Sequence, residues 1–326
     1  MTDRNSFGHH STTDEVLDGI DLTGKRALVT GGASGIGAET VRALASKGAE
    51  VIIAARNEEF ARKVIADVTA STGNDKIDFL FLELASLAKI KASAEEFLSR
   101  FDSLDLLINN AGIMACPLDQ TEDGFELQFG SNHIGHFYFT NLIMSALIKA
   151  APSRIISLSS LGHRTSPVVF DDIHYENRPY EKWEAYGQAK TANALFAVGL
   201  NARFADKGVE AFAVHPGVIA TCLSRHMTQE DFDRILNENQ PSKDDGDGPS
   251  TGGMKSVEQG AATTCYAATA PELSGHGGAY LENCHIAEQV PDDSAIRGGI
   301  RQFACDPVVA EKLWAVSEIM VGEKFA

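Results

Sequence analysis

Tyr186 and Lys190 lie four residues apart in a segment with a helical pattern, so their side chains share one face of a helix. Tyrosine is a poor base at its ordinary pKa of about 10. The ammonium group of a lysine one turn away favours the phenolate and should lower that pKa. The pair therefore predicts proton transfer to and from an oxygen atom, as in the interconversion of a carbonyl and an alcohol, with Tyr186 as proton donor and acceptor.

A glycine-rich turn, residues 30–37, follows the first apolar run and leads into a helical pattern from Ala38. Glycines let the backbone approach a pyrophosphate, and the first turn of the helix offers free N–H groups to the anion. The turn therefore predicts a dinucleotide-binding site that consists of Gly31, Ser34, Gly35, Ile36 and Gly37.

The end of the second apolar run bears on the choice of dinucleotide. About 20 residues beyond the glycines, a site for NAD carries an acidic residue that binds the ribose 2′-hydroxyl. This sequence has Arg56 and Asn57 instead. An arginine there can pair with a 2′-phosphate through charge-assisted hydrogen bonds, which favours NADP(H).

Short apolar runs alternate with amphipathic helical patterns from residue 25 onward. This alternation is typical of βαβ units around a parallel sheet. We expect one α/β domain of the Rossmann type, with a doubly wound, seven-stranded parallel sheet and helices on both faces. The predicted strands are Arg26–Thr30, Val51–Ala55, Ile77–Leu84, Leu104–Asn109, Arg154–Ser159, Val209–His215 and Gly278–Leu281.

Taken in order, these motifs resemble the short-chain dehydrogenase/reductase family. The matching pieces are the turn at 30–37, the segment 109–112 after the fourth strand, Ser160 after the fifth, the motif at 186–190 and the segment 215–217 after the sixth. The resemblance covers about residues 22–287. It implies that Ser160 holds the substrate oxygen, that Lys190 also holds the nicotinamide ribose, and that Asn132 anchors a water relay to this lysine.

The resemblance also implies further cofactor contacts. Glu83 and Leu84 stand near the adenine, where Glu83 replaces the usual aspartate. Ser34 stands where some NADP-preferring members have a basic residue, so NADP(H) is favoured while NAD(H) stays open. The remaining implied contacts are Asn110, Ala111, Gly112, Pro216, Gly217, Val218 and Thr221.

Within the family, the segments 127–137 and 258–263 and the long spacing from Ser160 to Tyr186 resemble the retinol dehydrogenase and WW-domain-oxidoreductase branch. That branch implies a small apolar carbonyl or alcohol as substrate. The membrane-inserting segment of some retinol dehydrogenases has no counterpart here, so retinol itself does not follow. We expect substrate contacts from Leu161, His163, Val168, Met227 and Phe232.

The chain divides into three predicted parts. Residues 1–21 form a flexible polar tail, and residues 22–287 form the dehydrogenase domain. Within that domain, residues 222–255 form a mobile substrate lid that includes an acidic, glycine-rich loop at 240–253. Residues 288–326 form a C-terminal extension whose helix, Pro307–Val321, packs on the domain.

Composition excludes several classes of function. The chain of 326 residues has 28 Lys+Arg and 45 Asp+Glu and a net charge of −17, which opposes binding to nucleic acid or to anionic lipid. Its five cysteines form no Cys-x-x-Cys pair, and no apolar run is long enough to span a bilayer. We therefore expect a cytoplasmic protein.

The family resemblance also suggests an oligomeric state. It implies a homodimer or homotetramer in which the helices near 132–149 and 186–203 pair between subunits.

Two motifs that suggest other chemistry fail on context. The nucleophile-elbow pattern at 248–252 lies in the acidic loop and lacks the strand and helix that an elbow needs. His133 and His136, and the pair Cys284 and His285, have no further ligand at a recognisable spacing, so we predict no metal site. Two alternatives stay open: a reductase of a conjugated double bond, and a nucleotide-sensing protein without catalysis.

Overall fold

The structure, a computed structural model, describes residues 7–238 and 253–325. It contains a sheet whose strands follow the order β3-β2-β1-β4-β5-β6-β7-β8. All neighbours are parallel except the last pair, in which β8 runs antiparallel to β7. The strands are β1 Arg26–Thr30, β2 Glu50–Ala55, β3 Ile77–Phe81, β4 Leu106–Asn109, β5 Ser153–Leu158, β6 Val209–His215, β7 Tyr280–Glu282, β8 His285–Ile286 and, in a separate small sheet, β9 Gln289–Val290 and β10 Ile300–Arg301.

Helices cover both faces of the sheet. The predicted α/β doubly wound fold is confirmed; the difference is the short eighth strand at the edge. The helices are α1 Thr13–Val16, α2 Gly35–Ser46, α3 Glu58–Thr72, α4 Leu87–Arg100, α5 Leu127–Phe129, α6 Gly135–Leu142, α7 Met144–Lys149, α8 Lys182–Phe204, α9 Gln229–Glu238, α10 Val257–Thr269 and α11 Pro307–Val321.

Alternation along each strand builds two cores. Leu28 and Ile52 belong to the core under α4, α6, α8 and α11, whereas Val29 and Ile53 belong to the core under α1, α2, α3 and α10. Successive side chains of a strand point to opposite faces, so a strand covered on both sides reads as a continuous apolar run. This is why the central strands were visible in the sequence.

The N-terminal segment differs from its prediction as a flexible tail. Phe7 is buried and packs edge-on against Tyr266 of α10. Thr12 caps α1, and Arg42 of α2 pairs with Asp14 in that helix. Residues 7–20 are therefore part of the folded domain, because their apolar side chains complete the core beside α10.

The C-terminal helix occupies its predicted bounds. Trp314 of α11 packs edge-on against Phe137 at 4.9 Å between ring centroids and also contacts Phe196 of α8. Gly199 of α8 makes room for this indole. The chain itself therefore covers this face of α8. The predicted homodimer or homotetramer, and the pairing of helices across it, stay predictions.

The acidic loop and the elbow pattern at 248–252 lie outside the described residues. Within residues 7–238 and 253–325, no helix combines the length and the apolar character that crossing a bilayer requires.

Candidate active site

The glycine-rich turn after β1 leads directly into α2. Gly35 has a φ of +55°, in the left-handed region, and α2 begins there. Ser34 is its N-cap residue but forms no side-chain capping bond, which leaves the first N–H groups of α2 without that partner. A side chain on Gly37 would collide with the carbonyl oxygen of Gly31. These features fit an anion held against the start of α2.

The loop after β4 lies beside this turn. The hydroxyl of Thr30 accepts hydrogen bonds from the backbone N–H groups of Asn110 and Ala111, both at 2.9 Å. The Asn110 amide donates to the carbonyl oxygen of Thr30 at 2.8 Å. The two loops are thus joined, and they form one wall of a cleft at the carboxyl ends of the strands, where ligands of open α/β sheets bind.

The predicted catalytic side chains meet in this cleft. Tyr186 is 5% exposed and its hydroxyl shares a hydrogen bond with Ser160. The Ser160 hydroxyl also accepts from the N–H of Gly162 at 3.0 Å, which fixes its direction. The ammonium nitrogen of Lys190 lies 5.6 Å from the centre of the Tyr186 ring and donates to the carbonyl oxygen of Leu158 at 2.8 Å. The arrangement brings a phenol, a hydroxyl and an amine together.

Burial dominates the ionisation of this group. Burial raises the pKa of Tyr186 to about 12, although its bond with Ser160 acts in the opposite direction. Burial lowers the pKa of Lys190 to about 8. In the protein alone, the pKa of Tyr186 is therefore raised and not lowered as predicted, because removal of the phenol from water outweighs the hydrogen bond with Ser160. Tyr186 is a proton donor in this state.

Asn132 lies in a π-helical turn, Gly130–Ile134, that precedes α6. Its amide donates to the carbonyl oxygen of Ile113 at 2.9 Å and its side-chain oxygen accepts from the Ile113 N–H at 2.8 Å. Asn132 thus satisfies backbone groups of the loop after β4, and the water relay stays a prediction. His136 contacts the hydroxyl of Thr30, and His133 that of Ser317, both at 2.9 Å.

Asn57 and Leu84, which were predicted to lie near the adenosine part of the cofactor, both form contacts within the fold. The Asn57 side chain caps α3 by accepting from the N–H of Phe60 at 3.0 Å. Leu84 packs closely on Gly135 at the start of α6. Arg56 and Glu83 form an ion pair with each other.

The cleft has a volume of about 690 Å³, within the range of small-molecule sites. Leu161, Met227 and Phe232 line it together with Tyr186 and Ser160, and their contact with a substrate stays a prediction. Other predicted residues on its wall are Ile36, Asn110, Gly112, Lys190, Pro216, Gly217, Val218 and Thr221.

Two predicted substrate contacts are wrong. Val168 is buried in the core beneath α8 and does not line the cleft. The ring of His163 is fully buried, and its nitrogens contact the carbonyl oxygen of Ser160 at 2.7 Å and the backbone N–H of Arg301 at 3.2 Å. Both follow Ser160 in the sequence, but the turn at Leu161–Thr165 directs His163 inward, and Val168 beyond the turn packs in the core.

Comparison with known proteins gives the family. The model of the short chain dehydrogenase family matches residues 25–231. A Streptomyces lividans protein named "Probable oxidoreductase" is 40% identical over 296 residues, 90% of this chain and 97% of the relative. Human retinol dehydrogenase 13 is 38% identical over 307 residues, 92% of this chain and 86% of the relative. The chain belongs to the short-chain dehydrogenase/reductase family.

Among solved structures, a gluconate 5-dehydrogenase from Burkholderia cenocepacia in complex with NADP and tartrate matches with a TM-score of 0.62 and 26% identity, over 81% of this chain and 95% of that chain. The family consists of oxidoreductases that use NAD(P) and act on small molecules. The glycine turn and the uncapped start of α2 in this dehydrogenase fit such a dinucleotide.

Several cleft residues of this dehydrogenase were not predicted. Trp183 contributes from α8. Lys255 lies behind the cleft wall, where its methylenes pack against Gly217. The C-terminal extension also reaches the cleft, since residues 292–295, Arg297 and Arg301 line it. No motif in the sequence signals this, because the residues are distant along the chain and belong to irregular backbone. The extension thus supplies a wall as well as the predicted helix.

Proposed function

We propose that this dehydrogenase interconverts a carbonyl and an alcohol on a small substrate with a largely apolar body, and that it favours NADP(H). The observation that carries the proposal is the hydrogen-bonded pair of Tyr186 and Ser160 in the cleft, with Lys190 beside it. A bound nicotinamide supplies or accepts the hydride. The residues of the chain orient the substrate and move the proton.

In the direction of reduction, Ser160 and Tyr186 hold the carbonyl oxygen between two hydroxyl groups. As negative charge develops on that oxygen, both hydroxyls stabilise it, and Tyr186 transfers its proton to it. Lys190 then stabilises the phenolate that remains, because its ammonium lies beside the ring. In the direction of oxidation the same phenolate accepts the alcohol proton.

The oxygen-directed geometry favours this reaction over reduction of a conjugated carbon–carbon double bond. Two hydroxyls that converge on one position suit an oxygen atom, which accepts hydrogen bonds. The complete set of Ser160, Tyr186, Lys190 and Asn132 likewise favours an enzyme over a sensor without catalysis.

The cofactor proposal assigns three groups of residues at the carboxyl ends of the strands. The turn at 31–37 and the start of α2 hold the pyrophosphate, Arg56 holds a 2′-phosphate, and Lys190 holds the nicotinamide ribose. Glu83, Asn57 and Leu84 lie near the adenosine. The remaining contacts are Asn110, Ala111, Gly112, Pro216, Gly217, Val218 and Thr221, which border the nicotinamide side.

The test is a panel of aldehydes, ketones and secondary alcohols, followed by nicotinamide absorbance with NADPH and NADH in parallel. We expect turnover with carbonyl compounds and a higher kcat/KM with NADPH. Tight NADPH binding with no turnover on any member would contradict the enzymatic proposal. Equal efficiency with both dinucleotides would contradict only the preference.

A further inference from the structure

Arg301 in β10 is a buried cation on the wall of the cleft. Arg301 is 2% exposed, and its side chain is among the largest fully buried ones in the described part of the chain. It lines the same cleft as Tyr186 and Ser160. A buried guanidinium stays protonated, so its charge needs compensation from nearby groups.

The compensation within the chain is incomplete. One terminal nitrogen, Nη2, donates to the carbonyl oxygens of Ser294 at 2.7 Å and Ile296 at 3.0 Å. The other, Nη1, is buried and has no hydrogen-bond partner. Among residues 7–238 and 253–325, no carboxylate forms an ion pair with Arg301. A buried charge left in this state costs several kcal/mol, so the site is suited to an anion from outside.

Other charges nearby do not fill this role. Arg164 also lines the cleft and donates to the carbonyl oxygen of Arg297 at 2.7 Å, but the carboxylate of Glu282 interacts electrostatically with Arg164. Asp292 and Asp293 at the rim are exposed, and water screens their charges. The inner end of the cleft is therefore positive, in a protein with a net charge of −17.

Arg301 is also close to the reacting groups. Its backbone N–H donates to Nε2 of His163 at 3.2 Å, and Nδ1 of this ring donates to the carbonyl oxygen of Ser160 at 2.7 Å. Burial lowers the pKa of His163 to about 4, so the ring is neutral and this donor and acceptor pattern is fixed. Two hydrogen bonds through one imidazole thus connect the backbone of Arg301 to that of Ser160.

We propose that Arg301 binds a carboxylate of the substrate through its guanidinium group, so that the substrate class is keto acids and hydroxy acids with an apolar body. This inference rests on the proposed function and narrows it. The guanidinium fork matches a carboxylate, whereas Leu161, Met227 and Phe232 contact the apolar part.

The first experiment needs no variant. Benzoylformate and 3-benzoylpropanoate are compared with their methyl esters, as ligands of the protein saturated with NADP⁺ by calorimetry and as substrates with NADPH. Of the two acids, we expect the one that fits the cleft better to bind about ten-fold more tightly than its own methyl ester. Its kcat/KM should also be higher than that of the ester. Esters that bind as well as the acids, or better, would overturn the inference.

Binding and turnover separate the two proposals. Selective binding of the acids without turnover of any carbonyl compound would contradict the proposed function and support the carboxylate site. Turnover of neutral ketones with no preference for acids would support the proposed function and overturn the carboxylate site.

The second experiment uses Arg301→Lys, with Arg62→Gln as a control for loss of an arginine. Arg62 lies on α3 and pairs with Glu58 at the surface. Lysine keeps the charge but loses the planar fork, so the acid-to-ester ratio of kcat/KM should fall about ten-fold with little change for the esters. If Arg301 had a purely structural role, the substitution would lower kcat/KM equally for the acid and the ester. An unchanged acid-to-ester ratio would therefore contradict the inference. If the variant fails to fold, the wild-type comparison decides.

Discussion

Arg56 and Glu83 face each other across the ends of β2 and β3, with Nη1 of the arginine 3.4 Å from Oε2 of the glutamate. The Arg56 side chain is 60% exposed, whereas that of Glu83 is 19% exposed and also accepts a hydrogen bond from the N–H of Ala85. The glutamate therefore orients the arginine at the edge where we propose the adenosine ribose. Its negative charge also opposes the approach of a 2′-phosphate.

This pair predicts opposite effects from two substitutions. Arg56→Ala should raise the Kd for NADPH about ten-fold with little change for NADH, because a charge-assisted bond to the 2′-phosphate is lost. Glu83→Gln should tighten NADPH binding by about two- to three-fold, because the competing charge is gone. Fluorescence titration with both dinucleotides measures the four changes. Parallel changes for NADPH and NADH in Arg56→Ala would contradict the assignment.

Tyr186→Phe should remove the proton donor without disturbing the ring. The phenyl group keeps the packing beside Gly162 and the edge-on contact with Trp183. We expect kcat to fall by about 10²- to 10⁴-fold, the usual contribution of a positioned acid, with the Kd for NADPH within about two-fold of wild type. Steady-state kinetics and dinucleotide titration measure the two quantities. A variant with near-normal kcat would exclude Tyr186 as the proton donor.

The ionisation of Lys190 predicts how reduction depends on pH. Burial lowers the pKa of Lys190 from 10.5 to about 8 and raises that of Tyr186 to about 12. Tyr186 therefore keeps its proton throughout the neutral range, while Lys190 loses its charge as pH rises through about 8. Without that charge the phenolate is less stable, so kcat for carbonyl reduction should be high below this pH and fall above it. A rate that is constant from about pH 7 to pH 9.5 would contradict this relation.

Asp231 holds helix α9 against the start of α8, and with it Phe232 on the cleft wall. Its carboxylate pairs with Lys182 and accepts from the indole N–H of Trp183 and the backbone N–H of Thr228, both at 2.8 Å. Burial alone would raise the pKa of Asp231, but these bonds together hold it well below its usual range.

Asp231→Asn should therefore loosen α9. An amide cannot accept on both atoms, and the charge opposite Lys182 is lost. We expect KM for the carbonyl substrate to rise about three- to ten-fold with a smaller change in kcat. Asp233→Asn is the matched control, because this exposed neighbour contacts only Gln229 among the bonds described on α9. Equal KM values for the two variants would show that the Asp231 contacts do not shape the cleft.

The fold was predictable where the sequence pattern is continuous. The strands β1, β2, β4, β5 and β6 are buried on both faces, so each appears as an apolar run between helical patterns. The edge strand His285–Ile286 is two residues long and half exposed, and no periodicity marks it. This strand is recognised only by its hydrogen bonds with β7, and such pairing appears only once the chain is folded.

The site was predictable where neighbours along the chain are also neighbours in space. Tyr186 and Lys190 share a helix, and the glycine turn is contiguous, so their spacing carried the information. The prediction that His163 and Val168 contact the substrate was wrong, because the chain after Ser160 buries both side chains. Arg301 was missed because β10 reaches His163 only through the tertiary fold.

The N-terminal arm gives a prediction about stability, because it was expected to be a flexible tail and is instead packed. Phe7 is 6% exposed against Tyr266, and its carbonyl oxygen contacts the imidazole of His285 at 2.5 Å. Phe7→Ala removes a buried aromatic ring from the core beside α10, so the free energy of unfolding should fall by about 3 kcal/mol. Phe60→Ala, at a residue that is 57% exposed on α3, should change it by less than about 0.5 kcal/mol. Urea denaturation measures both variants, and equal midpoints would mean that the arm contributes nothing to the core.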